Sequence, residues 1–345
     1  MNFRSDNVTG VAPEILDALA AANCEATATP YGGDAWTARV EARFDDLFER
    51  KVAVFPVATG SAANVLGLTM LTPPYGAIYC HVDSHIAVDE CGAPEFYTGG
   101  AKLVDLPGAN GKLEAGHLDA VIGAAAAGDV HHVQPAAISL TQSTEAGTVY
   151  TLDEVAAIAE VARRHDLAVQ MDGARFANAV VALDRAPAEL TWKAGVDVLS
   201  FGATKNGAMA AEAVVFFDPA RAEGFGFRRK RGGHLVSKMR FLSAQLEAYL
   251  TDDLWLRNAR HANAMAARLA AGLETVPGLR FRYPVEANEL FVEVPGAVAA
   301  GLEADGFLIY RWQDGPDPLL RLVTAFSTAA ADVDRFIASA TRHAR

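Results

Sequence analysis

Asp172 and Lys205 are the residues of this sequence whose types and placement can do chemistry together. Leu167-Ala168-Val169-Gln170-Met171-Asp172 is a mostly apolar run that ends in a carboxylate, and Gly173-Ala174-Arg175 turns it toward a helix. Asp197-Val198-Leu199-Ser200-Phe201 is a second such run, and Gly202-Ala203-Thr204-Lys205-Asn206-Gly207 is the glycine-flanked loop that leaves it. In open α/β sheets, ligands sit beyond the carboxyl ends of the strands, where both residues fall. An amine that attacks a carbonyl needs a desolvated or cation-rich pocket to lower its pKa. A carboxylate at a strand end can keep a pyridine nitrogen protonated, which makes a pyridoxal ring an electron sink. Each residue alone also reads as a helix cap or a solvated lysine. Their pairing on neighbouring strand ends favours the cradle.

Met171-Asp172-Gly173-Ala174-Arg175 followed by Ser200-Phe201-Gly202-Ala203-Thr204-Lys205-Asn206 resembles the signature of the L-threonine aldolase family. Arg4-Ser5-Asp6-Asn7, the turn Tyr31-Gly32-Gly33-Asp34 and Asp89-Glu90-Cys91-Gly92-Ala93-Pro94-Glu95-Phe96 extend the match over nearly the whole chain. Ala188 to Asp197 and Ser237 to Ser243 are similar to the branch that includes the phenylserine aldolases. The resemblance implies pyridoxal 5'-phosphate as cofactor and the fold type I of aspartate aminotransferase. That fold is α/β, a large domain with a mainly parallel seven-stranded sheet plus a small C-terminal α+β domain. It implies a β-hydroxy-α-amino acid as substrate, glycine and an aldehyde as products, and a homodimer or homotetramer with shared active sites.

The resemblance also distributes roles. Lys205 holds the cofactor, Asp172 its ring nitrogen, and Arg175 reaches the ring oxygen or the substrate carboxylate. Ser5 and Tyr31 fall near the substrate, and His131 matches a second active-site histidine that assists at the substrate hydroxyl. A solvated loop histidine remains open as the alternative for His131, because the family's neighbouring Asn-Thr-His is here Gln142-Ser143-Thr144-Glu145. Arg229 and Lys230 match an Arg-Lys pair that contacts the cofactor phosphate from a neighbouring subunit. A solvated basic loop remains open for the whole run Phe227 to Arg231.

The remaining candidates stand on their own chemistry as well. Val52 to Val57 reads as a strand, and Thr59-Gly60-Ser61 leads from it into a helix over Ala62 to Leu71, where unpaired N–H groups and helix dipole suit a phosphate. A plain helix cap gives the same pattern. His81 and His85 lack the Glu-centred helical motif of a zinc site, so no metal is expected, and His85 reads as a ring that stacks on the cofactor and offers a nitrogen to the substrate hydroxyl. Arg321 is a guanidinium inside the apolar run Leu319 to Thr324, where an unpaired charge is costly. Its partner is either a protein carboxylate such as Glu289 or the α-carboxylate of an amino acid. Asp172, Lys205 and Arg321 alone would equally serve a transaminase or β-eliminating lyase, or a cofactor-binding homologue without catalysis.

The elements that position these groups follow from periodicity. Helices are expected from Pro13 to Ala22, Ala35 to Glu49, Gly116 to Ala127, Thr151 to Arg164 with the capping box Thr151/Glu154, Leu235 to Leu250, Leu254 to Leu273, Gly296 to Ala304 and Ala329 to His343. Strands are expected at Ile78 to Cys80, Lys102 to Leu106, Ala136 to Thr141, Ala213 to Phe217, Glu289 to Val294 and Phe307 to Tyr310. The alternation from residue 52 to 217 gives βαβ units, and the break between large and small domains is placed at residues 251/252. The chain has 345 residues with a formal charge of −12, which disfavours nucleic acid and anionic membranes as partners. The cysteines Cys24, Cys80 and Cys91 form no Cys-x-x-Cys pair and suit a reducing cytoplasm. No signal segment is expected at the amino terminus, and no run reaches the roughly 18 apolar residues of a membrane span.

Overall fold

A computed structural model describes residues 1–344 of the chain. Seven strands form the large sheet: β1 (Ala53–Val57), β2 (Gly76–His81), β3 (Lys102–Leu106), β4 (Gln134–Thr141), β5 (Ala168–Gly173), β6 (Val198–Gly202) and β7 (Glu212–Phe216). Their order is β1-β7-β6-β5-β4-β2-β3. Only β7 runs against its neighbours β1 and β6. The pairs from β6 to β3 are parallel. Covered on both faces, β2, β5, β6 and β7 are buried at every position, which explains their near-continuous apolar runs.

The connections bring one end of every central strand to the same edge. The carboxyl ends of β1, β2, β4, β5 and β6 gather there, together with the amino end of β7. The helix Gly60–Leu71 covers one face and packs so closely that a Cβ on Gly67 would lie 3.3 Å from Val198. Thr151 and Glu154 close the expected capping box at the start of the helix Leu152–Arg164. Asp34 caps the helix Ala35–Leu47 through the Thr37 amide at 2.9 Å.

A second sheet, antiparallel, has the order β10-β11-β9-β8. Its strands are β8 (Arg280–Phe281), β9 (Glu289–Glu293), β10 (Tyr310–Gln313) and β11 (Leu319–Val323). The helix Leu254–Leu273 contributes Leu254, Trp255 and Ala259 to the large core, and Ala266, Leu269 and Leu273 to the small one. We propose a domain boundary at residues 251/252, ahead of this shared helix. The first residues are an exception to that division: Phe3 packs edge-on to Phe336 at 5.0 Å, and the Val323 amide donates to the Phe3 carbonyl at 2.8 Å.

Three expectations about elements are corrected. The basic run is a helix, Phe225–Arg231, because Phe225 is buried against Phe55 and Phe216 and anchors its start. The helix expected from Leu235 begins at Arg240, after the turn that follows Gly232-Gly233. The strand expected at Phe307 to Tyr310 lies at Tyr310–Gln313, since Leu308 pairs with the amino-terminal arm at Asn2 instead of with β11. The helix Ala93–Thr98 and the short β8 were hidden by glycines and by length.

Candidate active site

A cavity of about 340 Å³ opens at the strand-end edge, lined among others by Asn7, Thr59, Gly60, Ser61, Asn64, His85, Asp172, Lys205 and Glu212. Each strand sends its polar residue there for a local reason. Asp172 is the last but one residue of β5, and its carboxylate accepts from the Ala174 amide at 2.9 Å and from Asn64 Nδ2 at 2.7 Å. Lys205 stands in the turn Thr204–Asn206 after β6, which Gly207 ends at a φ of 119° that an L side chain rarely adopts. Lys205 makes no ion pair among the described residues, so its amine is uncommitted.

Thr59 caps the helix Gly60–Leu71 by accepting from the Ala62 amide at 3.2 Å. The capping reading and the anion reading therefore coexist, because the cap leaves other first-turn N–H groups facing the cavity. His85 follows β2, and its Nδ1 lies 2.9 Å from the buried Glu90 carboxylate. A carboxylate only accepts, so Nδ1 carries the proton and Nε2 is the free nitrogen. The Glu90 contact raises the His85 pKa above that of an ordinary imidazole, against the opposing effect of burial.

Behind His85 and Asp172 stands a layer of buried polar groups. Asn64 Nδ2 also donates to Glu90 at 3.0 Å, and Asn64 Oδ1 accepts from Gln170 at 3.2 Å. Glu145 accepts from the His85 amide at 2.8 Å and from Thr141 at 3.0 Å, while burial pushes its carboxyl up to about 7. Burial does the same to Glu212, which accepts from the Ala203 amide at 2.8 Å.

The profile of the beta-eliminating lyase family matches residues 2–296. A low specificity L-threonine aldolase of Pseudomonas aeruginosa is 44% identical over 90% of this chain and 89% of its own. This chain belongs to the beta-eliminating lyase family, among the L-threonine aldolases. A threonine aldolase of Leishmania major superposes with a TM-score of 0.93 at 29% identity, over 100% of this chain and 99% of that one. A serine palmitoyltransferase of Sphingomonas wittichii shares the fold, with a TM-score of 0.72 at 15% identity over 99% and 86% of the two chains. The seven-stranded sheet with its smaller antiparallel partner is thus the fold type I architecture in an aldolase-family chain.

Several expected site residues of this aldolase-family chain lie outside the cavity. His131 is exposed on the turn before β4, at the amino end of the strands and so at the opposite edge. Its match to an active-site histidine is corrected by that topology. Arg229 is buried within its own chain, donating to the Pro56 carbonyl and, at 3.2 Å, to the His234 carbonyl. It is not free to reach a neighbouring subunit, and burial lowers its pKa to about 10. Lys230 is exposed, 5.1 Å above the ring of Tyr31, itself on an outward turn tied to the Ser237 carbonyl. Ser5 spends its hydroxyl on the Asn7 amide at 3.1 Å, and Asn7 is the arm residue that lines the cavity.

Arg175 and Arg321 are not among the residues that line the cavity, and the two share Glu289. Arg175 donates to Asp6 at 2.7 and 3.1 Å and pairs with Glu289 at 3.2 Å. Burial would lower its pKa, but these carboxylates more than offset that and push it above the ordinary value. Burial likewise opposes the charge on Asp6, and Arg175 with Lys205 holds its carboxyl below the usual range. Arg321 donates to the Arg4 carbonyl at 3.0 Å, and its Nε stops 3.7 Å from Glu289, without a hydrogen-bond partner among the described residues. Glu289 therefore serves both arginines, the protein-carboxylate alternative foreseen for Arg321. Asp6, Glu90 and Glu145 lie in stretches quoted above without a role of their own, and Asn64 and Glu212 were not singled out; the one signal of these two is a polar residue inside an otherwise apolar or small-residue stretch.

Proposed function

We propose that this chain binds pyridoxal 5'-phosphate and cleaves β-hydroxy-α-amino acids of the L-threonine, L-allo-threonine and phenylserine type into glycine and an aldehyde. The residues fit the cofactor. A Cβ built on Gly60 would meet nothing within 4 Å, so the helix start is open to an anion. The same cavity offers Asp172 for a ring nitrogen and the uncommitted Lys205 amine for a carbonyl. When bound, this group supplies a conjugated electron sink for the pair released at Cα.

The chain's own residues then do the rest. Asp172, fixed on both oxygens by Asn64 and Ala174, holds a proton at the ring nitrogen. Lys205, whose amine lines the same cavity, would hold the cofactor through its carbonyl. Arg321, whose Nε lacks an acceptor, takes the α-carboxylate and so sets the rotation about Cα. Arg175, already paired with Asp6 and Glu289, supports that end of the site by holding the arm in place. His85 Nε2 removes the β-hydroxyl proton as the Cα–Cβ bond breaks.

The observation that carries this reading is His85 in the same cavity as Asp172 and Lys205, with Nδ1 committed to Glu90 and Nε2 free. Cleavage at Cβ needs a base there, and transamination does not. The test is a product assay: L-threonine or phenylserine gives glycine and acetaldehyde or benzaldehyde in equal amounts without a keto-acid acceptor. Ammonia and a keto acid in place of glycine would decide for a β-eliminating lyase.

We further propose a homodimer or homotetramer with shared sites, in which Lys230 is the basic residue offered across subunits. Among the described residues no helix is long and apolar enough to cross a membrane. The free thiols of Cys24, Cys80 and Cys91 fit a cytoplasmic setting.

A further inference from the structure

Glu212 is a buried carboxyl on the wall of the cavity that the mechanism above leaves without a task. Its register partners are Val57 on β1 and Gly202 on β6. The chain leaves Val57 directly into Thr59-Gly60-Ser61, and leaves Gly202 directly into Thr204-Lys205. Glu212 therefore stands between the anion seat and the lysine loop. Strand alternation puts it on the face of Val214 and Phe216, which pack with Val65 and Leu66 of the helix Gly60–Leu71. Its side chain thus shares a face and an edge with the start of that helix.

A second carboxylate charge beside a phosphate in a dry wall would oppose binding. A neutral carboxyl would assist it, because the protonated acid has an O–H to donate while its other oxygen keeps the Ala203 amide. We propose that Glu212 takes up one proton when the cofactor's phosphate binds and donates a hydrogen bond at that end of the cavity. This rests on the cofactor reading above. Burial supports it by pushing the Glu212 carboxyl up to about 7, even with Thr204, Ala203 and Lys205 pulling the other way. The other titratable groups around it are Tyr249 from the helix Arg240–Leu250, Arg229 on the Pro56 carbonyl, and Asp172 and His85 in the same cavity wall. The proton comes from the buffer, and no bond other than O–H is made or broken.

The test uses the full chain stripped of cofactor and titrated with pyridoxamine 5'-phosphate, whose lack of a carbonyl keeps the Lys205 reaction out of the measurement. Binding to the wild type weakens by at least about tenfold per pH unit between pH 7.5 and 9.5, one power of ten of which is the proton on Glu212. Glu212→Gln keeps a donor and an acceptor in the same places, so its binding falls with pH less steeply than the wild type's by about one power of ten per pH unit and is at least about tenfold tighter than wild type at pH 8.5. A Gln variant that follows the wild-type pH curve would overturn the role of Glu212 and leave the cofactor reading standing. No saturable binding to the wild type at any pH would overturn both. Should the variant not fold, calorimetry on the wild type in buffers of different ionisation heat counts the proton directly. One more proton taken up with pyridoxamine 5'-phosphate than with pyridoxamine supports the proposal; equal counts sink it.

Discussion

Asn64 Nδ2 lies 2.7 Å from Asp172 Oδ2, joining the helix Gly60–Leu71 to the end of β5 inside a buried polar layer. The same nitrogen reaches Glu90, which in turn holds His85, so one amide aligns the ring-nitrogen partner and the candidate base. Asn64→Ala strips a donor from two buried carboxylates at once. Leaving such acceptors unpaired costs about 1–3 kcal/mol. We expect thermal unfolding lower by several degrees and cofactor affinity reduced about tenfold or more. Unchanged affinity in spectrophotometric titration would show that Asp172 needs no such support.

His85 and Glu90 make a pH prediction with a definite sign. The Glu90 carboxylate raises the His85 pKa, so the protonated ring persists to higher pH than in an ordinary histidine. As a base, His85 works only when neutral. Cleavage therefore falls as pH drops through this raised pKa. Glu90→Gln removes the raising contact and moves the acidic limb of kcat toward lower pH, while kcat at its plateau drops because the ring is less firmly held. A limb that stays in place would exclude His85 as the titrating base. His85→Asn should lower kcat more than it weakens cofactor binding, with the stacking loss visible separately in the binding titration.

Glu145 carries a stability cost that a substitution can remove. Its folded carboxyl titrates near 7 and its unfolded one in the ordinary glutamate range, so folding binds a proton between the two. The penalty is absent below the unfolded pKa, grows through that window and is complete above about 7. Glu145→Gln retains an oxygen for the His85 amide and removes the charge. We expect it to raise unfolding stability by about 2 kcal/mol at pH 8 and to be neutral at pH 4. An equal change at both pH values in denaturant titrations would mean that packing, not ionisation, is at work.

The cradle was legible because Asp172, Lys205 and Thr59-Gly60-Ser61 each sit where an apolar run stops, and in a parallel sheet those stops share one edge. What supports them was not legible, since Asn64 meets Asp172 across 108 residues of chain and nothing local marks it. Arg229 misled for the same reason: Pro56, which holds its guanidinium, is 173 residues away. His131 was a candidate through the family resemblance alone, and strand direction sends the turn before β4 to the far edge. Arg321 announced its need for a carboxylate, and the structure supplies part of one through Glu289 without satisfying Nε.

Lys205 and Lys230 together test both the covalent attachment and the shared site. Borohydride reduction of the loaded protein should fix the cofactor's mass on the peptide containing Lys205, and Lys205→Ala should lose that adduct while remaining folded. Lys230 lies exposed above Tyr31, the one member of the Arg229-Lys230 pair free to extend from its own chain. If it serves a neighbour's phosphate, Lys230→Ala lowers cofactor affinity, whereas Arg229→Ala chiefly lowers stability by emptying a buried site beside Pro56. Mixing Lys205→Ala subunits with Lys230→Ala subunits then creates one hybrid site that has both lysines and one that has neither. Up to about a quarter of wild-type activity should return when a dimer assembles at random, half of the dimers being mixed and one site in two intact. No recovery on mixing, with subunit exchange verified by mass, would place Lys230 in its own subunit's surface and remove it from the cofactor site.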